Sequence, residues 1–113
     1  MTTRPPERAP KHLKPQTRRW WSAVEAAFEL EGHHRRLLTL AAEHWDRAAA
    51  ARLAIADHGL TYVDRFGSPR ERPEVKTARD SSIAFARLLR ELRLDPNQLA
   101  EDQRVPRLVE RRA

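Results

Sequence analysis

Gly59–Pro73, GLTYVDRFGSPRERP, interrupts two strong helical patterns and cannot itself be helix. Gly59 follows a long helical run and reads as its C-terminal stop. Leu60-Thr61-Tyr62-Val63 is rich in β-branched and aromatic residues and has strand character. Asp64–Pro69 has turn chemistry, with Gly67 able to take a positive φ. Pro73 suits the first turn of a following helix, where a missing N–H costs little. The expectation is helix, short extended or hairpin-like connection, helix. A connection this long is uncommon in a small domain and is often functional.

Upstream, a helix is expected over about His33–His58. Leu38, Ala41, Trp45, Ala48 or Ala49, Arg52 or Leu53, and Ala56 trace its apolar stripe. Its middle, Asp46–Arg52, is alanine-rich, which favours helix and lets another helix approach closely. That low-relief face suits packing against another subunit and, equally, an ordinary alanine-rich helix within one protomer. An earlier helix is expected over about Pro15–Leu30, where Trp21, Val24 and Phe28 share a buried stripe. Trp20 lies beside it, in the core or at a subunit contact, and Leu13 is placed to pack back on the first turn. Gly32 is a plausible C-cap between the two helices.

Downstream, a third helix is expected over Pro73–Leu92. Val75, Ala78, Ser82, Phe85, Leu89 and Leu92 recur at three- or four-residue spacing, and Ile83 and Leu88 widen the face. Asp95-Pro96 stops it. The fold class is therefore all-α: a helical hairpin plus a third helix, joined by the extended connection. Residues 1–12 read as a disordered basic arm, 13–96 as the helical domain, and 97–113 as a flexible tail carrying Val105, Leu108 and Val109.

With 113 residues, one domain is expected, and its helical core is small enough to want oligomeric support. There is no cysteine, which removes disulfides, thiol chemistry and the usual zinc ligands. No run approaches the roughly 20 apolar residues that span a bilayer, and residues 1–12 lack the apolar segment of a secretory signal. A soluble, intracellular protein without membrane contact is expected. The net charge of +6 favours a polyanionic partner, most simply nucleic acid. The cations are mostly arginine, which forks onto phosphate better than lysine.

Catalytic signals are missing. The chain has no GxxxxGKS/T loop and no GxGxxG. His33, His34 and His44 lack the i, i+4 pairing of a helical zinc site. Asp64 reads as a turn former, and Asp80 as an ion-pair partner of Arg79 or Arg87. No enzyme, cofactor or metal is expected.

The chain resembles the small subunit of tailed-bacteriophage terminases, in a compact all-helical branch. The resemblance is carried by Leu30–His34, Ala42–Arg47, Gly59-Leu60-Thr61, Asp64–Gly67, Pro73, Arg79-Asp80 and Phe85–Leu92. It spans about Leu13–Pro96. Arg93 stands where such proteins often have a helix-ending glycine, and Arg72 where a His or Asn often precedes the proline.

The resemblance implies a non-catalytic packaging factor in the host cytoplasm. It would form a homo-oligomeric ring, recognise double-stranded viral DNA and deliver it to a large terminase subunit holding the ATPase and nuclease. Candidate DNA-binding residues are Arg18, Arg19, Arg35 and Arg36, expected near the first helix–helix turn, and Arg65, Arg70 and Arg72 in the connection. All lie off the apolar stripes. The alternative is a helix-turn-helix transcriptional regulator, with Arg35 and Arg36 near the start of its second helix.

Overall fold

A computed structural model describes residues 7–94. The order is α1 (Pro15–Ala27), α2 (Gly32–His58), β1 (Thr61–Val63), β2 (Pro69–Glu71) and α3 (Pro73–Leu92). The strands pair antiparallel, with Thr61 opposite Glu71, Tyr62 opposite Arg70 and Val63 opposite Pro69. The architecture is thus helical with a two-stranded hairpin in the middle connection, as the sequence indicates.

The helix boundaries follow local chemistry. Pro15 and Pro73 open α1 and α3, with fixed φ and no N–H to leave unpaired. At α2, the Glu31 backbone N–H donates to His34 Nδ1 at 3.3 Å, in the manner of a capping box. Helix α2 ends at Gly59, whose φ is +87°. Two expectations are corrected at the first turn. Helix α1 stops at Ala27, because Phe28 turns to an extended conformation and packs its side chain on the core. Gly32 then opens α2 instead of closing α1.

The three helices share one core. Leu13, Trp21, Val24, Leu38, Ala42 and Leu92 are buried together, and Ala9 joins them from the segment before α1. Part of the expected N-terminal arm is therefore packed: Ala9 is buried, and His12 Nε2 lies 2.9 Å from Glu43 Oε2. Asp46 ties the start of α1 to the middle of α2, accepting from the Lys14 N–H at 2.8 Å and from the Thr17 hydroxyl. Farther along, Trp21 Nε1 donates to Thr39 Oγ1 at 3.2 Å.

Helices α2 and α3 run antiparallel. Leu38 meets Leu92 in the core, and the Trp45 and Phe85 rings lie 5.0 Å apart. Arg52 Nη2 donates to Ser82 Oγ at 3.0 Å. Trp20 adds its ring 5.8 Å from Phe85, so a tryptophan from each of α1 and α2 flanks one phenylalanine of α3. Such aromatic contacts are worth about 0.5–1.5 kcal/mol beyond burial alone.

Part of the alanine face of α2 is used within the protomer. Ala48 and Ala51 are buried within the protomer, at 1% and 5% exposure. They lie on α2 between Trp45 and Arg52, which both reach α3, so their small side chains let α3 approach closely. The α2 stripe also ends earlier than its periodicity indicates, with Leu53 and Ala56 exposed, and on α3 Ile83 is exposed as well.

Candidate nucleic-acid interface

The connection is shaped by Asp64. Its Oδ1 accepts the N–H groups of Phe66 and Ser68 at 2.8 and 2.9 Å, and Arg70 Nε donates to Oδ2 at 3.0 Å. The carboxyl is held below its ordinary pKa by the Ser68 amide first, then by Arg70. Gly67 takes a φ of +79°, a conformation that L side chains rarely adopt. One side chain and one glycine therefore fix the tip, in the turn-forming role the sequence gives both residues.

The hairpin is apolar outside. Leu60, Tyr62, Val63 and Phe66 are exposed, Phe66 to 76%. A two-stranded hairpin alone is marginal in water, and these side chains give it an exposed apolar surface.

The candidate arginines fall into two classes. Arg18, Arg19 and Arg36 are exposed and form no salt bridge among the described residues. Arg65 is also exposed, its guanidinium 4.8 Å from the centre of the Phe66 ring, a cation–π distance. The others have internal partners. Arg35 grips Glu25 with Nε at 3.1 Å from both oxygens and Nη2 at 2.9 Å from Oε1. Only 18% of the Arg35 side chain and 6% of the Glu25 side chain stay exposed. That hydrogen bonding to Glu25 raises the Arg35 pKa further. Arg70 is held by Asp64, and Arg72 Nε sits 3.5 Å from Glu74 Oε2. Those last two buried atoms face each other without a hydrogen bond.

Their placement also differs from expectation. Arg18 and Arg19 lie in the first half of α1, about 12–14 Å along the helix axis from its end at 1.5 Å per residue. The Thr17–Asp46 bond places them beside the middle of α2, away from Arg35 and Arg36 at its start.

Sequence reasoning missed a groove between α2 and α3 of about 610 Å³. His44 and Arg47 line it from α2, and Lys76, Thr77, Asp80 and Ser81 from α3. Ser81 Oγ lies 3.4 Å from His44 Nδ1. The usable signal was that Arg47 and Lys76 both lie off the apolar stripes. Bringing them together requires the α2–α3 register, which no local pattern sets. Among the described residues no cluster of His, Asp or Glu could hold a metal ion, and no helix is long and apolar enough to cross a membrane.

Three helices, a hairpin with an exposed apolar surface and a surplus of exposed arginine define a small, basic, helical protein. A sequence model of the family described as "phage terminase, small subunit" matches residues 18–105, and the chain belongs to that family. No curated protein matches the chain, and no solved structure matches it.

Proposed function

We propose that this protein is a non-catalytic DNA-packaging factor that binds double-stranded viral DNA and hands it to a large terminase subunit in the host cytoplasm. The observation that carries the reading is the family match across most of the chain. The net charge of +6 supports it. Phosphate contact falls first to Arg18, Arg19, Arg36 and Arg65, which have no acidic partner among the described residues. Arg35, Arg70 and Arg72 belong to the same basic surface but act mainly by holding Glu25, Asp64 and Glu74. The engagement of Arg35 weighs against a helix-turn-helix regulator that would read bases with it.

The chain assembles into a ring, with the exposed residues of the hairpin burying against a neighbouring copy. Ring contacts are heterologous and close by rotation. Repetition around a ring turns weak phosphate contacts into tight binding through effective concentration. The test is light scattering, together with duplex binding in the presence of Mg²⁺ and ATP. A multimer that binds DNA without cutting it is expected. A monomer at all concentrations would overturn the ring. Cleavage abolished by Asp64→Asn would overturn the non-catalytic role.

A further inference from the structure

We infer that the groove between α2 and α3 is a phosphate-binding track for the DNA backbone, with Arg47 and Lys76 as its cationic walls and Ser81 on its floor. This rests on the DNA-binding reading above and names a site for it that none of the arginines singled out in the sequence supplies.

The groove lining carries a net positive charge, Arg47 and Lys76 against the single acid Asp80. Arg47 and Lys76 are exposed and form no salt bridge among the described residues. The acid in the lining, Asp80, has its Oδ1 3.5 Å from Arg79 Nε, so its charge is answered from outside the groove. The nearest acids along α2 are engaged toward α1 and the segment before it: Glu43 lies against His12, and Asp46 accepts from the Lys14 N–H and the Thr17 hydroxyl. Two cations remain, one on each wall. That arrangement suits a ligand carrying negative charge along its length.

The floor supplies a donor. Ser81 is only 4% exposed, and the hydrogen bond found for its hydroxyl is the 3.4 Å contact with His44. That is long for a bond involving a hydroxyl. With the His44 proton on Nδ1, the imidazole donates and the Ser81 hydroxyl keeps its own proton to give; serine hydroxyls commonly contact phosphate oxygens. Thr77 does not compete, because its hydroxyl donates to the Pro73 carbonyl at 3.3 Å. The start of α3 at Pro73 also borders the groove, so the positive end of its dipole adds to the same field. A groove this open to solvent fits an extended backbone better than a small molecule that needs enclosure.

The test measures binding of a fluorescent duplex by the full chain across a salt series. The proteins are wild type, the double variant Arg47→Ala/Lys76→Ala, the single variant Ser81→Ala, and the triple variant Arg18→Ala/Arg19→Ala/Arg36→Ala. Circular dichroism and light scattering confirm fold and assembly for each. The double variant should lose on the order of tenfold or more in affinity near 0.1 M salt. Its plot of log affinity against log salt should flatten by about 1.8, or about 0.9 for each phosphate no longer neutralised. Ser81→Ala should show a smaller loss with an unchanged slope, because a neutral hydroxyl displaces no counterion. Wild-type affinity and slope in the double variant, with the triple variant impaired, would overturn the groove and leave the DNA-binding reading standing. Wild type failing to bind duplex at low salt would remove that reading itself. A double variant that keeps DNA affinity but falls apart in light scattering would overturn the track and assign the groove to an acidic segment of another copy.

Discussion

Replacing Arg93 with glycine should stabilise this protein. Arg93 ends α3 in the left-handed region, at φ 51° and ψ 46°, where its N–H reaches the carbonyls of Leu89 and Arg90 at 3.1 and 3.2 Å. It is the one non-glycine residue with positive φ among those described. An L side chain in that region costs about 1–2 kcal/mol. Glycine removes the penalty but gives back about 0.5–1 kcal/mol through the larger entropy of its unfolded state. The balance for Arg93→Gly is a gain of about 0.5–1 kcal/mol, or about 3–6 °C in Tm for a domain of this size. The side chain is exposed and forms no salt bridge among the described residues, so little offsets the gain. Arg93→Ala is the control, because it keeps the strained backbone and should stay within about 0.5 kcal/mol of wild type. Urea unfolding at fixed protein concentration is the assay, since assembly shifts apparent stability by mass action. Arg93→Gly no more stable than Arg93→Ala would refute the strain assignment.

Other substitutions test the core and the hairpin. Leu38 is fully buried between the helices, so Leu38→Ala should cost about 3 kcal/mol; a loss under about 1 kcal/mol in the same urea assay would place Leu38 outside the core. Gly67→Val forces a β-branched residue to positive φ at the hairpin tip and should cost about 1 kcal/mol or more, read as a lower urea midpoint. The Asp64 carboxyl has a folded pKa below its ordinary 3.8. Its contribution is therefore complete above that value and disappears as pH falls through the lower folded one. Hydrogen exchange at the Phe66 and Ser68 amides should accelerate across that acidic window in wild type but not in Asp64→Asn, and identical profiles would count against the linkage.

Much of the fold was legible because local chemistry decided it. Gly59 and Gly67 sit where only positive φ continues the chain, and Pro15 and Pro73 sit where a helix can begin. Asp64 forms a turn with bonds to residues two and four positions ahead, well within the reach of sequence reasoning. What failed depended on contacts between distant segments. Periodicity makes Ile83 apolar and in phase, but α3 meets α2 on a neighbouring line and leaves Ile83 outside. The alanines at 48 and 51 look available until α3 is known to lie against them. The candidate interface shows the same limit. Arg35 reads as exposed beside Arg36, yet Glu25 on the facing helix claims it. Arg47 and Lys76 become neighbours only through the register of α2 against α3.

The affinity of the wild-type protein for duplex DNA, followed across salt concentration in the presence of Mg²⁺, tests the packaging role most directly. Binding through many exposed arginines should weaken linearly on a log–log plot, with a slope of about 0.9 for every phosphate neutralised and no strand cut. Failure to bind at low salt, or an affinity indifferent to salt, would contradict it.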